Sequence, residues 1–136
     1  MVVGKTAALA FADSTVIIDL LDPDAPRNAV VRQAVAAHPE GLLCVSNLVR
    51  LEVSVGPFTR NVQSEIDRLD VVLEALTRLD MPQAVYVAAA RLRARHGLKT
   101  PDALHLATAL HHGCGEFWTN DIQLAKKSMG LAFRTF

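Results

Sequence analysis

The chain of 136 residues is short of cysteine, of net charge and of long apolar runs, and each shortage closes off a class of protein. Two cysteines, Cys44 and Cys114, are too few for a disulfide framework and have no Cys or His neighbour at zinc-finger spacing. Both are expected to be reduced thiols, with Cys44 in the core. Fourteen Lys and Arg balance fourteen Asp and Glu, so no field of one sign marks nucleic acid, a membrane surface or an acidic substrate as the partner. The longest stretch without Asp, Glu, Lys or Arg, Ala103 to Gly115, carries three histidines and falls well short of the roughly 20 apolar residues of a membrane span. At the start of the chain the apolar part after Lys5 extends only from Thr6 to Ala12 and ends on Asp13. It reads as a strand rather than a secretory signal, and the protein as intracellular and cytoplasmic. No repeat or low-complexity tract is present. What is abundant is apolar: 51% hydrophobic against 21% charged residues suits a sizeable core, and the length suits one domain over residues 1–136.

Short apolar runs alternate with helical periodicity. Ala8 to Ala12 reads as a strand, and STVIIDLL after it shifts to helical spacing until DPDAP breaks it. Asp24 is placed to cap a helix over about Pro26 to Ala37, closed by His38-Pro39. Leu42 to Val45 reads as a second buried strand, after which Ser46 caps a helix through Val55 that Gly56-Pro57 is expected to stop. Val62, Ile66, Leu69, Leu73 and Leu76 recur at helical spacing, and a further helix is expected from about Pro82 to His96 with Gly97 as its C-cap. Thr100-Pro101, a cap followed by proline at the first helical position, opens a helix to about His112. EFWT reads as a strand, Asp121 starts a short helix, and LAFRT makes a last strand. The alternation predicts a three-layer α/β/α fold around a mostly parallel sheet. Sites in such sheets form at the carboxyl ends of the strands.

Four acids are directed to that edge. Asp13 follows the first strand and Asp121 follows EFWTN. The helix that Asp102 opens is about 11 residues, or roughly 16 Å, and the strand that returns covers about 15 Å, so Asp102 and Asp121 arrive together. Glu52 falls on an inward stripe with Leu48, Val49 and Val55. Ionised acids cost several kcal/mol each to bury unpaired, and four together repel, so a positive charge belongs among them. No Lys or Arg lies one turn from Asp13, and carboxylates without cysteine are the ligands of a hard cation, Mg²⁺ or Mn²⁺. Taken singly, each Asp serves equally well as a helix cap or first-turn residue. Glu52 has no such role, which favours the cation for the set.

FADSTVIIDLL, SNLVRLEV, TPDALHLATAL and FWTND resemble, in order, the four motif blocks of the PIN domain, and are most similar to small VapC-type toxins of bacterial toxin-antitoxin pairs. The resemblance covers nearly the whole chain. It implies a Mg²⁺- or Mn²⁺-dependent endoribonuclease that cuts single-stranded RNA, a homodimer, and a cognate antitoxin bound over the active site. By the same resemblance Asp13, Glu52, Asp102 and Asp121 are the metal-binding, catalytic acids, and Ser14 and Thr119 are the hydroxyls that orient a carboxylate or a metal-bound water. Ser14-Thr15 departs from the commoner Thr-Ser or Thr-Asn but keeps the hydroxyl, and the stretch before the first strand is additional to the pattern.

The chemistry agrees. Phosphodiester hydrolysis needs an activated water and a counter-charge for the transition state, and divalent ions supply both. With the four acids set aside, fourteen basic residues face ten acidic ones, so the remaining surface can attract phosphate. Arg91, Arg93, Arg95 and Lys99 precede Asp102, and Lys126 and Lys127 follow Asp121; Arg93, Lys99 and Lys126 are the expected RNA contacts, ordinary solvated helix faces being the other reading. His105 is read as a core histidine rather than a site contact, His111-His112 as dipole partners at a helix end, and Phe117 and Trp118 as core. Asp19, Asp22 and Asp24 are assigned to helix ends and turns. A phosphotransfer domain with Asp13 as nucleophile would want a second Asp at position 15, where Thr15 stands, or a strand-end Lys. A non-catalytic RNA- or protein-binding module is the remaining alternative.

Overall fold

The computed structural model describes residues 9–127 and 131–136. Its element order is β1 (Ala10–Ala12), α1 (Ser14–Leu21), α2 (Asn28–Ala37), β2 (Leu43–Ser46), α3 (Asn47–Arg60), α4 (Gln63–Glu74), β3 (Thr77–Leu79), α5 (Gln83–His96), α6 (Thr100–His111), β4 (Glu116–Trp118), α7 (Ile122–Ala125) and β5 (Ala132–Arg134). Every strand pair is parallel, in the order β3-β2-β1-β4-β5. The predicted α/β/α fold is therefore the one observed, with an all-parallel sheet. β1, β2 and β4 are apolar and buried almost throughout because both faces of a central parallel strand are covered. Phe11 stacks on Phe117 at 5.5 Å between ring centroids across the β1–β4 pair, and Trp118 is fully buried beside them. Phe117 and Trp118 are core, as expected.

The winding runs from β1 outward to β3, then returns to place β4 on the other side of β1. The crevice at the carboxyl ends of β1 and β4 is thus the topological switch point of the sheet. There the Asp13 N–H donates to the Trp118 carbonyl at 3.0 Å, so the residues that follow the two strands begin side by side.

Local signals set many boundaries. Ser46 caps α3, its hydroxyl accepting from the Val49 N–H at 3.3 Å. Gly97 ends α5 at φ 66°, a left-handed conformation that glycine adopts without steric penalty. Strand Ala8–Ala12 is observed as Ala10–Ala12, Ala8 lying outside the described residues.

Four expectations need correction. Asp24 does not cap α2: the helix begins at Asn28, and Asn28 turns its Nδ2 back to the Asp19 and Leu20 carbonyls, closing α1. Thr100 is the first residue of α6 and not its cap, Lys99 holding that position. Gly56-Pro57 does not stop α3, which runs on to Arg60 and ends at Asn61 in the left-handed region. An interior proline costs about 3 kcal/mol. Val49, Val53 and Pro57 form a buried stripe at four-residue spacing, and fully burying an aliphatic side chain contributes about 1.5–3 kcal/mol. Finally, the helical pattern through Leu76 ends at Glu74, and Thr77–Leu79 form an edge strand on β2 that the sequence analysis did not anticipate. No helix among the described residues is long and apolar enough to cross a membrane.

Candidate functional site

Asp13 is the N-cap of α1. Its Oδ1 accepts from the Thr15 N–H at 3.0 Å, the Val16 N–H at 3.4 Å and the Thr15 hydroxyl. It is only 3% exposed, and burial pushes its carboxyl above the ordinary aspartate range, against the downward pull of the Thr119 and Thr15 hydroxyls, His105 and the Val16 N–H. Asp121 caps α7 in the same manner, Oδ1 accepting from the Gln123 and Leu124 N–H groups at 3.0 and 3.2 Å. Thr119, fully buried at the end of β4, accepts from the Asp121 N–H at 3.0 Å and lies 3.5 Å from the Thr15 hydroxyl.

Asp102 is in the first turn of α6. Burial raises its pKa, and the nearby Asp121 and Asp13 carboxylates raise it further, while His105 and Lys99 oppose them. Asp13 and Asp121 are joined through the Trp118 carbonyl and the Thr119 hydroxyl, and Asp102 lies near enough to both for their charges to raise it. Glu52, in the middle of α3, behaves differently. Burial alone would raise its pKa, but hydrogen bonds from His105 and Ser14 hold it below the usual glutamate range. The His105 Nε2 lies 2.7 Å from Oε1, and the Ser14 hydroxyl donates to that same oxygen. An ionised carboxylate only accepts, so Nε2 carries the shared proton.

The hydrogen bonds of Asp121 and Glu52 end on a single carboxylate oxygen, Oδ1 and Oε1, and those Asp13 receives from the start of α1 all end on Oδ1. For Asp121 and Glu52 the other oxygen carries none of them. Among the described residues, Asp13, Asp102 and Asp121 have no Lys or Arg ion-pair partner. Oxygen donors, mutual repulsion and absent counter-charge fit a hard divalent cation. Among the described residues no three His, Cys, Asp or Glu side chains are drawn together as a cage.

Other expected residues are distributed unevenly. Lys99 is close enough to Asp102 to affect it electrostatically. Arg93 does local work, its Nε donating to the Leu98 carbonyl at 3.0 Å. Lys126 is exposed just after α7. Both cysteines are buried free thiols, Cys44 pushed up to about 12 and Cys114 to about 11 by burial. His105 is buried as expected of a core histidine, yet it is also the partner of Glu52, 53 positions away in the chain. Its position one turn after Asp102 was the available signal. Thr15, two residues after a capping Asp, was missed as the donor that orients Asp13. A cleft of about 570 Å³ adjoins the site at Glu52; its lining is apolar at Ile18, Leu21, Val53 and Pro57 and of mixed charge, with Asp22, Asp24 and Glu65 beside Arg60 and Arg68.

The sequence profile of the PIN domain matches residues 10–128, and the chain belongs to the PIN domain family. Its structural neighbours are VapC toxins and VapBC toxin-antitoxin complexes. A toxin-antitoxin complex from Klebsiella pneumoniae superposes with a TM-score of 0.76 at 26% identity, covering 90% of this chain and 95% of the other. VapBC2 from Rickettsia felis, bound to a DNA fragment from its promoter, has a TM-score of 0.76 at 15% identity and covers 94% and 98%. The sarcin-ricin loop cleaving toxin VapC20 from Mycobacterium tuberculosis has a TM-score of 0.71 at 16% identity and covers 90% and 98%. No curated protein matches the chain in sequence.

Proposed function

We propose that the chain, read as one domain over residues 1–136, is a Mg²⁺- or Mn²⁺-dependent endoribonuclease acting on single-stranded RNA, and the toxin of a cytoplasmic toxin-antitoxin pair. The observation that carries this reading is the placement of Asp13 and Asp121 after the adjacent strands β1 and β4 at the switch point, with Asp102 near both and no Lys or Arg ion pair to any of the three among the described residues. Asp13, Glu52, Asp102 and Asp121 would hold the cation, which when bound supplies charge to the phosphate and acidifies a water. Within the chain, Thr15 and the α1 N–H groups orient Asp13, His105 and Ser14 orient Glu52, and α7 orients Asp121. Lys99 and Lys126 are suited to contact the RNA backbone. Arg93, already donating to Leu98, is the weakest of the three expected contacts.

The cleft beside Glu52, with apolar Ile18, Leu21, Val53 and Pro57 among its lining, suits an apolar face of a segment of the antitoxin. The exposed α3 stripe of Leu51, Val55 and Phe58 suits a homodimer contact.

The purified chain is expected to cleave single-stranded RNA with Mg²⁺ or Mn²⁺ and to stop in EDTA. Asp13→Asn is expected to lose at least about a hundredfold in rate, since even outer groups around a metal commonly contribute ten- to a hundredfold. Undiminished cleavage in EDTA would defeat the reading. The lack of a preassembled cage favours one competitor, a non-catalytic binding module, which would bind RNA and leave it intact under every divalent condition.

A further inference from the structure

Asn120 stands between Thr119 and Asp121 and has no part in the chemistry above. Both ends of its side-chain amide are engaged: Nδ2 donates to Asp19 Oδ2 at 2.7 Å, and Oδ1 accepts from the Phe136 N–H at 3.0 Å. A carboxylate only accepts and a peptide N–H only donates, so the amide has one possible orientation. The arrangement closes on itself. Asp19 Oδ2 faces an Arg27 guanidinium nitrogen at 3.9 Å, and Arg27 Nε donates to the Phe136 carbonyl at 3.1 Å. A ring of four groups thus joins α1, the start of α2, the segment after β5 and the connection from β4 to α7. The Arg27 contact is long and half exposed and contributes little, whereas the Asn120–Asp19 bond is charge-assisted, with Asp19 only 16% exposed. Phe136 is held from its other side by edge packing on Trp118 at 5.3 Å and by the Arg134 guanidinium 4.9 Å from its ring.

From this ring the backbone leads to two of the site acids. The Asn120 N–H donates to the Thr15 hydroxyl at 2.8 Å, which leaves that hydroxyl's single hydrogen for Asp13 Oδ1. The next residue is Asp121, whose α7 has only four residues and cannot hold its own geometry in isolation. We propose that Asn120 is a positioning residue: anchored by Asp19 and Phe136, it sets the placement of the Asp13 and Asp121 carboxylates. Its bearing on cation binding rests on the nuclease reading; its hold on the two caps does not.

The test compares wild type with Asn120→Ala, Asn120→Asp and the double variant Asp19→Asn/Asn120→Asp, first by amide hydrogen exchange without divalent cation. In Asn120→Ala the Thr15, Val16, Gln123 and Leu124 amides are expected to exchange about tenfold faster, roughly the effect of one lost hydrogen bond, while Phe11 and Val45 in the sheet keep their protection. Asn120→Asp, which sets two carboxylates face to face, should be worse. The double variant restores a bond of reversed polarity and should recover much of the loss. Calorimetry with Mn²⁺ is expected to show about ten- to a hundredfold weaker binding in Asn120→Ala. Uniformly faster exchange that includes Phe11 and Val45, or no recovery in the double variant, would overturn the proposal. So would a Mn²⁺ affinity in Asn120→Ala equal to that of a wild type that binds the ion. A wild type that binds no Mn²⁺ would count against the nuclease reading, and the exchange comparison would still decide the role of Asn120.

Discussion

Asp102 and Glu52 are both carboxylates of the proposed site, yet their surroundings push them in opposite directions. Asp102 has a raised pKa, through burial first and then repulsion from Asp121 and Asp13, so its ionised form is unfavourable in the cation-free fold. A carboxyl raised on folding contributes stability below its unfolded value, near 3.8, and loses that contribution as pH rises through the folded value. At neutral pH in EDTA, Asp102→Asn is therefore expected to melt at or above wild type, the difference closing as pH falls toward 3.8. Glu52 is lowered, so its contribution is present above the unfolded value and lost as pH falls through the folded one. Glu52→Gln should cost about 1 kcal/mol in EDTA at neutral pH, the value of weakening two charge-assisted bonds. Saturating Mg²⁺ should stabilise wild type by roughly 2.7 kcal/mol at a hundredfold excess over Kd, and Asp102→Asn by much less. Calorimetric scans of three proteins with and without Mg²⁺ check all of this. A destabilised Asp102→Asn together with a wild type indifferent to Mg²⁺ would return the acids to simple capping.

At the level of elements, α3 links the site to the neighbouring cleft. It brings Glu52 inward on one turn and carries Gly56 and Pro57 along the cleft one turn later. A Cβ at Gly56 would approach only the Arg60 guanidinium, at 3.2 and 3.3 Å, the far end of a long exposed side chain that can move aside. Arg60 pairs there with Glu65 at 2.7 Å, and an exposed pair contributes about 1 kcal/mol or less. Gly to Ala within a helix gains about 0.8–1.0 kcal/mol. Gly56→Ala is expected to raise the unfolding free energy by about 0.5 kcal/mol in urea titrations, with RNA cleavage unchanged. Its added methyl narrows the cleft, so antitoxin affinity should fall. Tighter antitoxin binding would show that the partner lies elsewhere.

For the whole molecule the open question is which faces are covered. Leu51 at 63%, Val55 at 57% and Phe58 at 60% exposure form a stripe on α3 at four- and three-residue spacing, turned away from the core, so Val55 does not share the inward stripe expected for it beside Glu52. A second copy is the expected cover. Light scattering should give a dimer for wild type and a monomer for Val55→Asp/Phe58→Asp, with the fold retained because neither side chain belongs to the core. A monomeric wild type would assign the stripe to another partner.

Residues close in sequence determined a good part of this protein on their own. Asp13 after an apolar run, Ser46 before helical periodicity, Gly97 at a helix end and Asp121 before a short helix are local signals, because a cap is satisfied by N–H groups two or three residues away. The same locality placed Asp13, Asp102 and Asp121 at one edge, given that the sheet is parallel. Where a local rule met packing, packing prevailed: Gly56-Pro57 should end a helix, and the buried stripe of Val49, Val53 and Pro57 carries it onward. The strand order, the edge strand β3, the bond between His105 and Glu52 and the ring through Asn120 were decided only in three dimensions. Asn120 and Asp19 are 101 positions apart and His105 and Glu52 are 53 apart. No periodicity or spacing encodes such a pair, because the loops between them leave its geometry free until the sheet and its helices have packed.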